Sequence, residues 1–335
     1  MKMEKSTGQK HPLVSILILS YNAESFIKEA IDSALTQTWT NFEVIVLDNG
    51  SSDGTAGILR SYNDPHLKCL YEDKNLDVVL GRNRLLREAH GEFLTWLDGD
   101  DSYLPRKVER EADFLLDHPE TLAVYCDTYY FFEEEPGQWY RNVNQHYSGD
   151  IFEPLLDRIF INNTAFMMRR AVIEQLGYFN PATGIVEDWE YFLRMAYHGV
   201  RFGYLNEKLL KCRLRENSAS GLMRKSQSKE SIVAIFENLR VQMSNEERRR
   251  YRMDERICGR YRELAIAYLS AGRKKEFYEA WWKGSTSLSQ RIFAACICAV
   301  TYVLPAAWFM WIIKAMARIK KKSNYEYILS SPVEV

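Results

Sequence analysis

A five-residue run, Phe93-Leu94-Thr95-Trp96-Leu97, empties directly into Asp98-Gly99-Asp100-Asp101. Apolar, aromatic and β-branched residues in such a run mark a buried strand, and Gly91 opens it. Residues 14–19, 42–47 and 67–71 read as further strands. Between them lie helical stretches: 25–36, spaced at Phe26, Ile27, Ala30, Ile31 and Leu35, then 53–62 and 80–89. Strand–helix alternation of this kind predicts an α/β fold, a parallel sheet with helices on both faces. In that class ligands bind outside the carboxyl ends of the strands, which is where the three carboxylates stand. Like charges that close repel strongly unless a cation holds them. Hard oxygen donors suit Mg²⁺ or Mn²⁺, whose shells are usually completed by substrate phosphates.

Beyond residue 100 the pattern loosens. Pro105 starts a helix that ends near His118-Pro119. Residues 122–132 read as a strand, 133–149 as a polar and aromatic loop, 164–169 as a strand and 188–198 as a helix. Residues 222–285 read as helices, broken at Gly272. The expected organisation is a flexible lead over 1–11, a catalytic domain over 12–221 and a helical region over 222–290. An apolar segment with basic flanks follows over 291–322, then a tail over 323–335.

The net charge of −1 conceals an asymmetry. Residues 1–200 carry 18 Lys and Arg against 32 Asp and Glu; residues 201–335 carry 26 against 13. An acidic half joined to a basic half suits a protein that meets an anionic surface through its C-terminal part. No nucleic-acid motif appears, so the expected surface is a membrane. The six cysteines form no Cys-x-x-Cys pair, which argues against a zinc site or a disulfide framework. The polar N-terminus carries no signal-peptide pattern.

Two more strand ends carry chemistry. The first runs into Ser20-Tyr21-Asn22-Ala23-Glu24, the second into Asp48-Asn49-Gly50-Ser51-Ser52-Asp53-Gly54-Thr55. A carboxylate there can accept hydrogen bonds from a base N–H or a ribose hydroxyl. The same residues also favour a turn and a helix cap, so Asp53 is expected as cap and Asp48 as ligand. With Arg82-Asn83 and the stretch from Gly91 to Asp101, these motifs in this order resemble the family 2 glycosyltransferases of the GT-A fold, over residues 12–220. The resemblance implies a Rossmann-like, mostly parallel sheet flanked by helices. It also implies a nucleotide-diphospho-sugar donor, a divalent cation (Mn²⁺ or Mg²⁺) and inversion at the anomeric carbon.

Carried over, the resemblance puts the donor's base on Tyr21, of the Tyr21-Asn22 pair, and Asp48, and turns Arg82 or Asn83 to the nucleotide. Asp98 and Asp100 would hold the ribose and the metal, with Asp101 able to share the metal. Glu187-Asp188-Trp189-Glu190 opens a helix and matches the family's Glu-Asp element, whose Asp is the general base. An acceptor hydroxyl must lose its proton as it attacks, so Asp188 takes that role beside Glu187. Acidic residues at a helix N-terminus also complement its dipole. Where many relatives carry Tyr-Arg-x-His, this chain has Cys212-Arg213-Leu214-Arg215. Arginine cannot ligate a metal but can grip a diphosphate in bidentate fashion.

The expected activity is sugar transfer to a glycan or lipid-linked acceptor, in surface polysaccharide synthesis, at the cytoplasmic face of the membrane. Residues 292–313 hold 22 positions without a charge, interrupted by Pro305, a length that can span a bilayer. Basic clusters flank both ends, which favours a monotopic or peripheral arrangement over a single span. A nucleotidyltransferase would need a Gly-rich, basic loop after the first strand, and residues 20–24 offer none. A silent membrane-bound scaffold would need none of Asp48, Asp98, Asp100 and Asp188.

Overall fold

The computed structural model describes residues 11–133, 138–142, 145–214, 226–285, 291–292 and 325–328. Its centre is four parallel strands: β1 (Val14–Ser20), β2 (Phe42–Asp48), β3 (Leu67–Tyr71) and β4 (Phe93–Asp98). They lie in the order β4-β1-β2-β3. The helices between them are α1 (Ile27–Leu35), α2 (Thr55–Arg60) and α3 (Val78–Glu88). Alternate residues of one strand feed opposite faces. Ile16, Ile18, Val44, Val46, Phe93 and Leu97 pack in one apolar cluster, and Leu17, Ile45, Leu47, Leu94 and Trp96 in the other. Both faces of β1, β2 and β4 are covered, which is why they read as near-continuous apolar runs.

The second half of the sheet is mixed. After β5 (Ser102–Tyr103) and α4 (Lys107–Asp117) come β6 (Ala123–Phe132) and β7 (Trp139–Asn142). Next are α5 (Phe152–Asp157), β8 (Phe166–Arg169), α6 (Ala171–Leu176), α7 (Glu187–Tyr197) and β9 (Phe202–Leu214). β8 runs antiparallel between β4 and β6, and β9 lies parallel to β6. The carboxyl ends of β4, β6 and β9 therefore open on the same side. Sequence periodicity does not mark β9. Its register against β6 slips at Cys126/Asp127 and again at Asp127/Thr128, so no single two-residue alternation runs its length. Likewise β7 falls inside the stretch read as a loop, and α5 and α6 are too short to show a helical period.

Helices α8 (Ser226–Gln242), α9 (Asn245–Arg250), α10 (Met253–Ser270) and α11 (Lys274–Lys283) follow. Gly272, at φ +75°, makes the break between the last two that the sequence predicts. Ile232, Phe236, Leu239, Met253 and Ile257 join the apolar cluster that holds Trp96 and Trp189, so this region packs onto the sheet. A final strand, β10 (Tyr325–Ile328), pairs antiparallel with β7. Among the described residues no helix is long and apolar enough to cross a membrane. Residues 293–313 of the charge-free segment lie outside them.

Candidate active site

Register sets the geometry of the binding edge. Ser20 pairs with Asp48 across β1 and β2, and Leu19 pairs with Asp98 across β1 and β4. Three strand ends thus finish level, and their loops meet. Asn22 takes φ +47°, its Oδ1 accepts from Ser52 N at 2.9 Å, and its own N donates to Ser51 Oγ at 2.9 Å. Gly50 is at φ +75°, and a Cβ there would lie 2.4 Å from the Lys74 carbonyl carbon, so only glycine lets this turn approach the Lys74-Asn75 backbone. Asp48 is buried and accepts from Ser51 N at 3.1 Å, while Tyr21 stands exposed just past the end of β1. Asp53 acts one residue ahead of the helix cap: its Oδ1 accepts from Thr55 N and Oγ1, and its Oδ2 from Glu24 N.

At the acidic turn the carboxylates separate by environment. Asp98 is 40% exposed in its side chain and Asp100 is half-buried. Asp101 is buried, and its Oδ1 accepts from Arg213 N at 3.0 Å. Burial first, then the charges of Asp100 and Asp98, push the Asp101 carboxyl well above the usual range. Asp101 is thus a buried brace to β9, with Asp98 and Asp100 the more open carboxylates of the turn. Arg213 is bonded here as well. Its Nε donates to Asp100 O at 3.2 Å and its Nη2 to Glu29 Oε2 at 3.0 Å. The guanidinium lies between the rings of Phe26 and Phe131, 4.6 and 4.7 Å from their centroids. With these partners Arg213 fastens the acidic turn to α1 and β9. Arg215 lies outside the described residues.

Asp98 and Asp100 fit a divalent cation by chemistry: hard oxygen donors, partly open, at the sheet edge where substrate phosphates would arrive. Among the described residues no group of three His, Cys, Asp or Glu side chains converges as a metal cage. A cation here would therefore take the rest of its shell from substrate and water.

The second acidic cluster is brought in by helix α7. Glu187, Asp188 and Glu190 occupy its first turn, where the helix dipole favours negative charge. Glu187 is buried and its Oε1 accepts from Arg82 Nε at 3.0 Å. Arg82 Nη2 donates to Asp98 Oδ1 at 3.1 Å, so residues 98 and 187, far apart in sequence, share one guanidinium. Burial would lower the Arg82 pKa; Asp98, Glu187 and Asp188 outweigh it and hold it above the ordinary value. Burial raises Asp188 to about 6, against hydrogen bonding from Trp189 N and the pull of Arg82. Glu187 rises to about 7, again chiefly through burial.

Asn83 does not face the nucleotide edge. Its Nδ2 donates to Phe179 O at 2.9 Å and its Oδ1 accepts from Phe179 N at 3.0 Å, which uses both ends of a buried amide. Arg194 donates to both oxygens of Glu190 and to the Leu176 and Tyr178 carbonyls. Sequence reading missed Glu29 and Asn163. With its carboxamide oxygen turned inward, Asn163 accepts from Arg82 Nη1 at 2.5 Å. Neither lies in a motif, and only the tertiary fold brings them to the site.

Residues 15–177 match the model of Glycosyl transferase family 2. An uncharacterized glycosyltransferase of Rickettsia typhi is 32% identical over 214 residues, which cover 61% of this chain and 65% of that one. Across this and two further rickettsial relatives, the chain spans between 33% and 65% of their lengths. The crystal structure of S. aureus TarS 1-349 in complex with UDP-GlcNAc superposes with a TM-score of 0.61 at 19% identity, covering 81% of this chain and 80% of TarS 1-349. The mannosyltransferase PcManGT of Pyrobaculum calidifontis, in complex with GDP-Man and Mn²⁺, gives 0.53 at 19% identity, covering 89% and 83%. These structural likenesses are likenesses of fold: a mixed α/β sheet of the GT-A kind. Motif order, fold and family match agree on a family 2 glycosyltransferase domain over residues 15–177.

Proposed function

We propose that the protein transfers a sugar from a nucleotide-diphospho-sugar to an acceptor hydroxyl with inversion, Asp188 acting as the general base. The observation that carries this reading is the shared Arg82 guanidinium. It binds both the donor-side carboxylate Asp98 and Glu187, the neighbour of Asp188, so the two acidic motifs form one site. Asp48 and Tyr21 would take the nucleoside at the level strand ends. A divalent cation on Asp98 and Asp100 would neutralise charge developing on the departing diphosphate. TarS binding UDP-GlcNAc and PcManGT binding GDP-Man with Mn²⁺ support a donor and metal of these classes. Asp188, raised towards neutrality yet ionised at pH 7, suits removal of a hydroxyl proton.

The acceptor in this reading is a glycan or lipid-linked sugar, and the enzyme works at the cytoplasmic face of a membrane. Support comes from the basic C-terminal half and from exposed Tyr278, Trp282 and Ile292 at the entry to the charge-free segment. Arg291 lies over the Trp282 ring at 4.3 Å, an apolar and cationic pairing suited to headgroups. Asp188→Asn tests the mechanism. It keeps size and hydrogen bonding but removes basicity, so nucleotide binding should persist while transfer falls by roughly 10²–10⁴-fold. Near-normal transfer by that variant would refute Asp188 as base.

A further inference from the structure

We propose that Arg82 is a positioning residue, a strut that fixes the head of the base-bearing helix against the donor-side acidic turn. The inference rests on the sugar-transfer reading above and assigns Arg82 a part other than gripping the donor. The guanidinium belongs to a buried residue, and each of its nitrogens is aimed at protein. Nε meets Glu187 Oε1 at 3.0 Å, Nη2 meets Asp98 Oδ1 at 3.1 Å, and Nη1 meets the Asn163 carboxamide oxygen at 2.5 Å. One face lies over the Trp96 indole, 5.1 Å from its centroid. No paired fork is left for a diphosphate, which a bidentate grip requires.

The neighbours of Arg82 make the strut rigid. A Cβ on Gly81 would come within 2.7 Å of Leu19 Cδ1, so glycine lets α3 close onto β1 just where that strand ends. Asn83 clamps the Phe179 backbone at both its N and O, on the chain that leads to Glu187. Three consecutive residues therefore seat α3 on the sheet, bridge the two acidic motifs, and pin the approach to α7. Without Arg82 the Glu187 carboxylate would be buried with no cation beside it, and the helix head carrying Asp188 would have to move outward. Displacement of a reacting group by about 1 Å costs on the order of 100-fold in rate.

The test compares Arg82→Lys, Arg82→Gln, Glu187→Gln and the Arg82→Gln/Glu187→Gln pair in the full chain. UDP and GDP with Mn²⁺ serve as calorimetric probes, and UDP-GlcNAc and GDP-mannose as donors. Nucleotide affinity should be unchanged while turnover drops about 100-fold in each single variant. Lysine should not rescue, since one ammonium cannot hold two carboxylates and an amide in fixed directions. The double variant should lose no more than the worse single one, as members of one unit do. If Arg82→Gln fails to fold, Glu187→Gln carries the same prediction. Weakened nucleotide binding with turnover spared, or losses that multiply in the double variant, would overturn the strut. Should wild type bind neither nucleotide, the donor reading fails by itself. The strut is then judged by melting temperatures: non-additive losses in the double variant support it, and additive ones refute it.

Discussion

At the residue scale, environment sorts carboxylates that are identical in sequence. Asp98 and Asp100 face the open edge, Asp101 is a buried brace, and Asp188 is held near neutrality. The consequence for pH follows from the sign of the Asp188 shift. A base must be unprotonated to act, and burial raises its pKa to about 6, so protonation below that value removes the active form. We expect turnover to be flat from about pH 7 upward on this limb and to fall about tenfold per pH unit well below 6. A rate profile with saturating donor measures it, and a limb near the usual Asp value of about 4 would contradict it. Asp48 gives a second residue-level prediction. It is buried at the end of β2 with one oxygen on Ser51 N, so Asp48→Ala should weaken UDP or GDP binding far more than it slows the bound complex. Unaltered affinity in calorimetry would reduce Asp48 to a turn residue. The motifs named most of these positions, because acids at strand ends are local features. They could not name the partners of Asn83 and Arg213, since Phe179, Glu29, Phe26 and Phe131 are distant in sequence and met only through the fold.

At the scale of elements, legibility tracked burial on both faces. Strands β1, β2 and β4 are buried along most of their length because both sides are covered, and their apolar runs stand out against the loops. β9 is a long strand yet unreadable, since its register slips twice against β6 and its burial pattern loses its period. Helix α4 hides a different surprise. Lys107 and Glu111 stand at i,i+4 on it, and both side chains are wholly buried and 2.6 Å apart. Lys107 Nζ also donates to Thr95 Oγ1 at 3.0 Å and lies 4.2 Å from the Tyr103 ring centroid. The pair sits under β4, the strand that presents Asp98. Removing one partner leaves an uncompensated charge in the core, so Glu111→Leu should cost about 3–5 kcal/mol. Lys107→Met together with Glu111→Leu replaces both by apolar groups and should recover most of that loss. Urea denaturation of the two variants decides the matter: equal destabilisation would mean that the charges are not coupled.

At the scale of the whole molecule, the acidic half and the basic helical half share one core, and membrane topology turns on the two ends of the charge-free run. One end, Arg291-Ile292, lies beside Trp282 of α11. Beyond the other end, β10 pairs with β7 at the edge of the catalytic sheet, Tyr325 opposite Asn142 and Ile328 opposite Trp139. A helix that crossed the bilayer once would carry residues 325–328 to the far side, where β7 could not reach them. The pairing therefore speaks for the monotopic or peripheral arrangement over a single span. Charge agrees: Arg273, Lys274, Lys275, Lys283 and Arg291 precede the run, and Lys314, Arg318, Lys320, Lys321 and Lys322 follow it. Both clusters then meet anionic headgroups on one side, each residue near the surface contributing about 1 kcal/mol. A reporter fused after Val335 should score as cytoplasmic, on the side of the catalytic domain. Truncation after residue 287 should release a protein that still hydrolyses donor but no longer sediments with vesicles containing phosphatidylserine. The β10 strand lost with it is four residues at a sheet edge, so the core should remain folded. An external score for the reporter would restore the spanning helix and break the β7–β10 pairing as a feature of the membrane-bound enzyme.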